Sequence, residues 1–162
     1  MKGLFLEDIN IGSEEALGTY QFTRDAILAF AKRFDPQPFH LDDEAARQSH
    51  FGALCASGWH TAAAWMKCYV AFNQHHRRQR LAGGETVPAI GPSPGFENLR
   101  WPKAVYPGDV IAYRCLMTDK RRLKSRPGWG LLTSTNSGIN QNGECVLSFE
   151  GKVLVEMRRA KP

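Results

Sequence analysis

The segment from Trp59 to Phe72, W-H-T-A-A-A-W-M-K-C-Y-V-A-F, constrains the fold more than any other. A helix on the surface of a globular protein keeps one apolar stripe and one polar face. This segment is apolar on almost every side, so it reads as a helix buried nearly all round. It is too short and too mixed to cross a bilayer. Something else in the chain must wrap it.

The second half supplies the wrapper. Residues 110–118, V-I-A-Y-R-C-L-M-T, have strand composition, and two more strand-like runs flank Gln141-Asn142-Gly143. Asn-Gly between such runs is a strong hairpin signal. In the last run, Cys145, Leu147, Phe149, Val153, Val155 and Met157 share one face. Ser148, Glu150, Lys152, Glu156 and Arg158 share the other, which is the pattern of an antiparallel sheet with one buried face. The expected architecture is α+β: an antiparallel sheet curled around one buried helix, with residues 1–162 as a single domain. No internal repeat and no long linker divides it.

Upstream, Thr23 is placed to cap a helix over residues 24–34, on which Ile27, Phe30, Ala31 and Phe34 recur at helical spacing. Pro36 ends it. Asp42 caps a short helix beginning D-D-E-A-A-R-Q, and Ser57 opens the apolar one. Residues 74–95 read as the least regular stretch, either a cover for a pocket or a plain connection.

Composition removes several classes. With 43% apolar and 23% charged residues the chain is neither disordered nor fibrous. Its start, M-K-G-L-F-L-E-D, carries acids too early for a secretory signal, so the expected compartment is the cytoplasm, with no membrane partner. None of Cys55, Cys68, Cys115 and Cys145 is spaced as C-x-x-C, so buried free thiols are expected and no metal site. His75 and His76 are adjacent and point about 100° apart on a helix, which does not suit one ion.

The net charge is +5. Basic residues gather in His75–Arg80, in Lys120–Arg126 and in the tail M-R-R-A-K. These clusters lack interleaved aromatics, which weakens a single-strand nucleic-acid reading. Solvated surface and a site for a phosphate-bearing small ligand both remain open.

The most pointed chemical feature is F-D-P-Q-P-F-H-L-D. Asp35 and His40 lie five residues apart with Pro36 and Pro38 between them. Each proline fixes its own φ and pushes the preceding residue toward extended backbone. Such a stiff loop can hold an acid and a base at a set separation, as proton transfer on one substrate requires. The same residues also suit a plain turn with a solvent-facing imidazole.

Three blocks in this order resemble the MaoC-like dehydratases, a family that includes the (R)-specific enoyl-CoA hydratases. They are F-D-P-Q-P-F-H-L-D-D-E-A-A, F-G-A-L-C-A-S-G-W-H-T and L-R-W-P-K-A-V-Y-P-G-D-V-I. With N-Q-N-G-E in the last hairpin, the resemblance runs from about residue 20 to the end. It implies a hotdog fold and reversible hydration of 2-enoyl-CoA to (R)-3-hydroxyacyl-CoA in fatty acid metabolism. It implies Asp35 and His40 as the catalytic dyad, and a homodimer as the least assembly. Hydratases of the family commonly have Asn where this chain has Gln37.

Hydration of a 2-enoyl thioester needs a water that loses a proton, an α-carbon that gains one, and a donor for the thioester oxygen. Asp35 and His40 suit the proton transfers. The oxygen's donor is expected at the backbone N–H of Gly58, where the apolar helix starts, with Ser57 as its cap. Cap plus close packing is an equal reading of Ser57-Gly58. His60 is expected as a packed core histidine, His50 at the surface, and Trp59, Trp65, Met66 and Tyr69 in the core. Lys120, Arg121, Arg122, Lys124 and Arg126 are the nearest candidates for coenzyme A phosphates, on a connection between strands. No G-x-S-x-G, G-x-G-x-x-G or G-K-[ST] motif occurs, so no nucleotide cofactor is expected; coenzyme A enters only as part of the substrate. The alternatives are a hotdog thioesterase, a non-catalytic acyl-CoA-binding module and, behind both, a nucleic-acid binder.

Overall fold

A computed structural model describes residues 2–158. Five strands, β1 (Glu14–Gln21), β2 (Gly95–Arg100), β3 (Val110–Arg122), β4 (Trp129–Ile139) and β5 (Cys145–Glu156), form one antiparallel sheet in the order β1-β3-β4-β5-β2. Three helices are α1 (Arg24–Phe34), α2 (Asp43–Arg47) and α3 (Gly58–Ala82). The sheet wraps α3, as the hotdog architecture requires.

The local signals act where they were read. Thr23 accepts from the Ala26 N–H at 3.2 Å, Asp42 from Ala45 at 2.8 Å, and Ser57 from Trp59 at 3.2 Å. Each side chain satisfies one of the free amides that open a helix. Residues 140–144 join β4 to β5, with Gly143 at φ +80°, a conformation glycine adopts without strain. Gln141 ties this hairpin to the P-G-D turn: it donates to Asp109 at 2.7 Å and accepts from the Val110 N–H at 3.2 Å. All four cysteines are free; Cys55, Cys68 and Cys115 are buried, and Cys145 is half-buried.

Three expectations need correction, and one strand went unread. First, α3 is not buried all round. His60, Thr61, Ala64, Trp65 and Cys68 face the core, but Trp59 is 53% exposed, Met66 51% and Val70 41%. A single five-stranded sheet covers only one side of a helix. Second, α3 continues to Ala82 and absorbs the first part of the stretch read as irregular; only residues 83–94 are loop, interrupted by a bridge from Ile90 to Val155. The unread strand is β1, which carried no strand signal. Its one buried residue is Leu17, because it is an edge strand wet on both sides. Third, β3 is longer than its composition suggested and takes in Lys120, Arg121 and Arg122.

Lys120 is also committed. Its Nζ donates to the carbonyls of Leu6, Glu7 and Ile9 at 3.1, 2.8 and 2.6 Å and fastens the N-terminal segment to the sheet. Arg126 lies over the Trp129 ring at 4.5 Å. In the other cluster, Arg77 donates to the Pro88 carbonyl at 2.7 Å and Arg80 to that of Lys2 at 2.8 Å. Most of the tail cluster, residues 159–161, lies outside the described residues.

The N-terminal segment yields a sharp stability test. A Cβ on Gly130 would lie 2.1 Å from Leu6 Cδ2 and 2.8 Å from the Arg121 carbonyl oxygen. The carbonyl belongs to the neighbouring strand and cannot move aside. Gly130→Ala is expected to cost about 1–3 kcal/mol, as overpacking usually does. A thermal melt should fall by roughly 2–10 °C. An unchanged melting temperature would mean that Leu6 does not seat on β4.

Candidate active site

The proline loop sits between α1 and α2. Asp35 caps the C-terminus of α1, its N–H donating to the Ala31 carbonyl at 3.0 Å. Pro38, Phe39 and His40 form one 3-10 turn, in which the His40 N–H donates to the Gln37 carbonyl at 2.9 Å. The loop therefore turns back on itself and brings the imidazole to the carboxylate. His40 Nε2 lies 3.5 Å from Asp35 Oδ2.

The other ring nitrogen decides what Nε2 can do. His40 Nδ1 is 2.8 Å from the Cys55 carbonyl oxygen. A carbonyl only accepts, so Nδ1 carries a proton, and Nε2 is the ring nitrogen that faces Asp35. At 3.5 Å the two groups are too far apart for a strong direct bond. A site beside the pair, not between the two atoms, lies within hydrogen-bond reach of both.

Asp35 is held ionised. Burial pushes its carboxyl up, but hydrogen bonding by Ser57 and Gln37, together with the His40 ring, outweighs this and sets it below its ordinary value. Gln37 Nε2 donates to Oδ1 at 2.8 Å, so the longer side chain at this position still reaches the carboxylate. Oδ2 is left for the imidazole side.

Ser57 and Gly58 complete the corner. Ser57 is 1% exposed and does two things: it caps α3 and lies against Asp35. The Gly58 N–H has no acceptor among the described residues and sits at the positive end of a 25-residue helix. Close packing holds too, because a Cβ on Gly58 would come within 2.7 Å of the Trp101 ring. Cap and close packing therefore both hold for Ser57-Gly58, with the Gly58 N–H left free beside them.

These groups line a cleft of about 330 Å³, walled also by Phe39, Phe51, Trp101 and Val105. Lys103 lines it as well and pairs with Glu144 at 3.2 Å. Of the Lys120–Arg126 cluster, no residue lines this cleft in the chain. His60 stays out of it: its ring stacks on Phe30 at 4.6 Å, and burial pulls its pKa down to about 4, so it is a neutral core residue. His50 is exposed. Among the described residues no three His, Cys, Asp or Glu side chains are placed to share a metal ion, and no helix is long and apolar enough to cross a membrane.

The sequence offered no signal for the Cys55 carbonyl, since every residue carries one. Trp101 was equally hidden, because its place over Gly58 comes from packing across 43 positions.

A hotdog domain with a carboxylate and an imidazole facing each other beside a free helix N-terminus sets the class of protein, and the comparisons narrow it. The model of the MaoC-like domain matches residues 12–128, and the chain belongs to that family. It is similar to a MaoC-like dehydratase from Rhodospirillum rubrum, with 38% identity, TM-score 0.81, and 97% and 99% of the two chains covered. The uncharacterised protein YdeM of Bacillus subtilis is 29% identical over 95% of this chain and 99% of its own. A mesaconyl-CoA hydratase from Cereibacter sphaeroides is 33% identical over 48% of this chain, which is 24% of its own length. The (R)-hydratase PhaJ1 of Pseudomonas aeruginosa shares the fold, with TM-score 0.64 at 19% identity over 98% and 94% of the chains. The family supports activity of the hydratase–dehydratase kind.

Proposed function

We propose that this protein reversibly hydrates 2-enoyl-CoA thioesters to (R)-3-hydroxyacyl-CoA, with Asp35 and His40 as its dyad. The observation that carries the reading is the paired geometry of His40: Nδ1 fixed on the Cys55 carbonyl, Nε2 facing the Asp35 carboxylate. A water held by both is oriented toward the β-carbon. Nε2 takes one of its protons as the oxygen bonds to that carbon. The electron pair of the carbon–carbon double bond moves through the α-carbon to the thioester oxygen, which the Gly58 N–H stabilises. The imidazolium, balanced by Asp35, then returns its proton to the α-carbon. No proton is gained or lost overall. Loss of the enoyl absorbance on a panel of 2-enoyl-CoA thioesters tests this; a folded protein that leaves every member unchanged would refute it.

The reading includes a homodimer. Strands β1 and β2 are open sheet edges, and the uncovered side of α3 leaves Trp59 and Met66 exposed near Phe96 of β2, itself 53% exposed. Pairing with a second copy would remove both liabilities. Light scattering at micromolar concentration should give at least twice 18.1 kDa. A species of the monomer mass would sink the dimer.

A further inference from the structure

The cleft has a neighbour. A second cavity of about 190 Å³ lies between α3 and strands β2, β4 and β5, with Trp65, Tyr69, Phe96 and Phe149 among its walls. The two cavities meet at Trp59, which alone among the described residues lines both. Its indole does not stand free. It lies edge to face with Trp101, ring centres 5.3 Å apart at 74°, and Trp101 in turn rests on Gly58.

This chain of contacts has a consequence for any thioester in the cleft. With the thioester oxygen at the Gly58 N–H and the β-carbon at the dyad, the remaining acyl carbons leave past the next residue, Trp59. Apolar carbons gain by entering an apolar cavity. The indole lies where the two cavities meet, braced by its neighbour.

We propose that Trp59 is the specificity-determining residue for acyl length: its indole closes the passage into the apolar cavity and restricts the protein to short 2-enoyl thioesters. The proposal rests on the hydratase reading for its substrate class. It makes Trp59 a partition whose size sets the cut-off, and truncation joins the two cavities into one longer site.

The test compares wild type with Trp59→Ala and Trp59→Phe on four-, six-, eight- and ten-carbon trans-2-enoyl-CoA. Trp59 is half exposed in the first turn of α3, and alanine is a good helix former, so the fold should persist; because Trp59 also lies on the face proposed to pair, light scattering first establishes that each variant keeps the wild-type mass. In wild type, kcat/KM should fall at least tenfold from four to eight carbons. Trp59→Ala should raise the eight-to-four ratio at least tenfold, about 1.4 kcal/mol. Trp59→Phe should fall between. A wild type that treats both lengths alike, or a ratio unmoved by Trp59→Ala, overturns the proposal. Calorimetric titration with saturated butanoyl- and octanoyl-CoA reads the same preference without turnover. A shifted binding ratio with no hydration of any thioester would defeat the hydratase reading and keep the partition. Hydration with unshifted ratios would defeat the partition alone.

Discussion

Asp35→Asn and His40→Gln are each expected to lower turnover on a 2-enoyl thioester at least a hundredfold, because each removes one half of a proton-transfer pair. In the proposed mechanism the two groups act on one water, so the double variant should be little slower than either single one. Asp35→Asn keeps the shape and a hydrogen bond to Gln37 but loses the charge that balances the imidazolium. His40→Gln can still meet the Cys55 carbonyl with its amide but offers no base. Both variants should therefore fold, which circular dichroism and a thermal melt would establish before kinetics. A single variant that folds normally yet keeps more than about a tenth of the wild-type rate would remove that residue from the chemistry.

Gly58→Ala keeps the backbone N–H but puts a methyl into the corner that would present it, and kcat is expected to fall about a hundredfold, the scale of one oxyanion donor moved out of line. The added Cβ would sit 2.7 Å from Trp101 Cδ2 and Cε2, so the indole must swing away or α3 must shift. Trp101 is 39% exposed and has room to move outward, which leaves the core intact. The melt should change by only a few degrees while the rate collapses, because the cost falls on the corner that holds the thioester oxygen. Tryptophan fluorescence should report the displaced ring. A variant with altered fluorescence but near wild-type kcat would reduce Gly58 to a packing role.

Much of this was legible because it is local. The caps at Thr23, Asp42 and Ser57 act over two or three residues, so residue type and spacing identify them. The proline loop is equally self-contained: its turn bonds and the Gln37–Asp35 bond all fall within residues 35–42. The alternation in β5 exposed its buried face, except where the bulge opposite Gly138 and Ile139 buries Val146 and Leu147 together. Where the reading failed, the missing term was a neighbour. Nothing in W-H-T-A-A-A-W-M-K says which side of a helix a sheet will cover. Nothing in E-E-A-L-G-T-Y-Q marks a strand whose side chains mostly face water. The Lys120 ammonium looks like a phosphate ligand until three carbonyls from the N-terminal segment are seen around it.

The sequence alone marked the helix caps, the alternating strand and the stiff loop that carries Asp35 and His40, because helix capping, strand alternation and proline stiffness are short-range effects. Only the tertiary structure decided how Asp35 and His40 are wired. The Cys55 carbonyl that accepts from His40 Nδ1 is a backbone group without a sequence signature, 15 positions away. The Trp101 ring over Gly58 and the meeting of two cavities at Trp59 depend on segments that only packing brings together. Side-chain identity names what a residue can do, and long-range contacts decide which of those things it is placed to do.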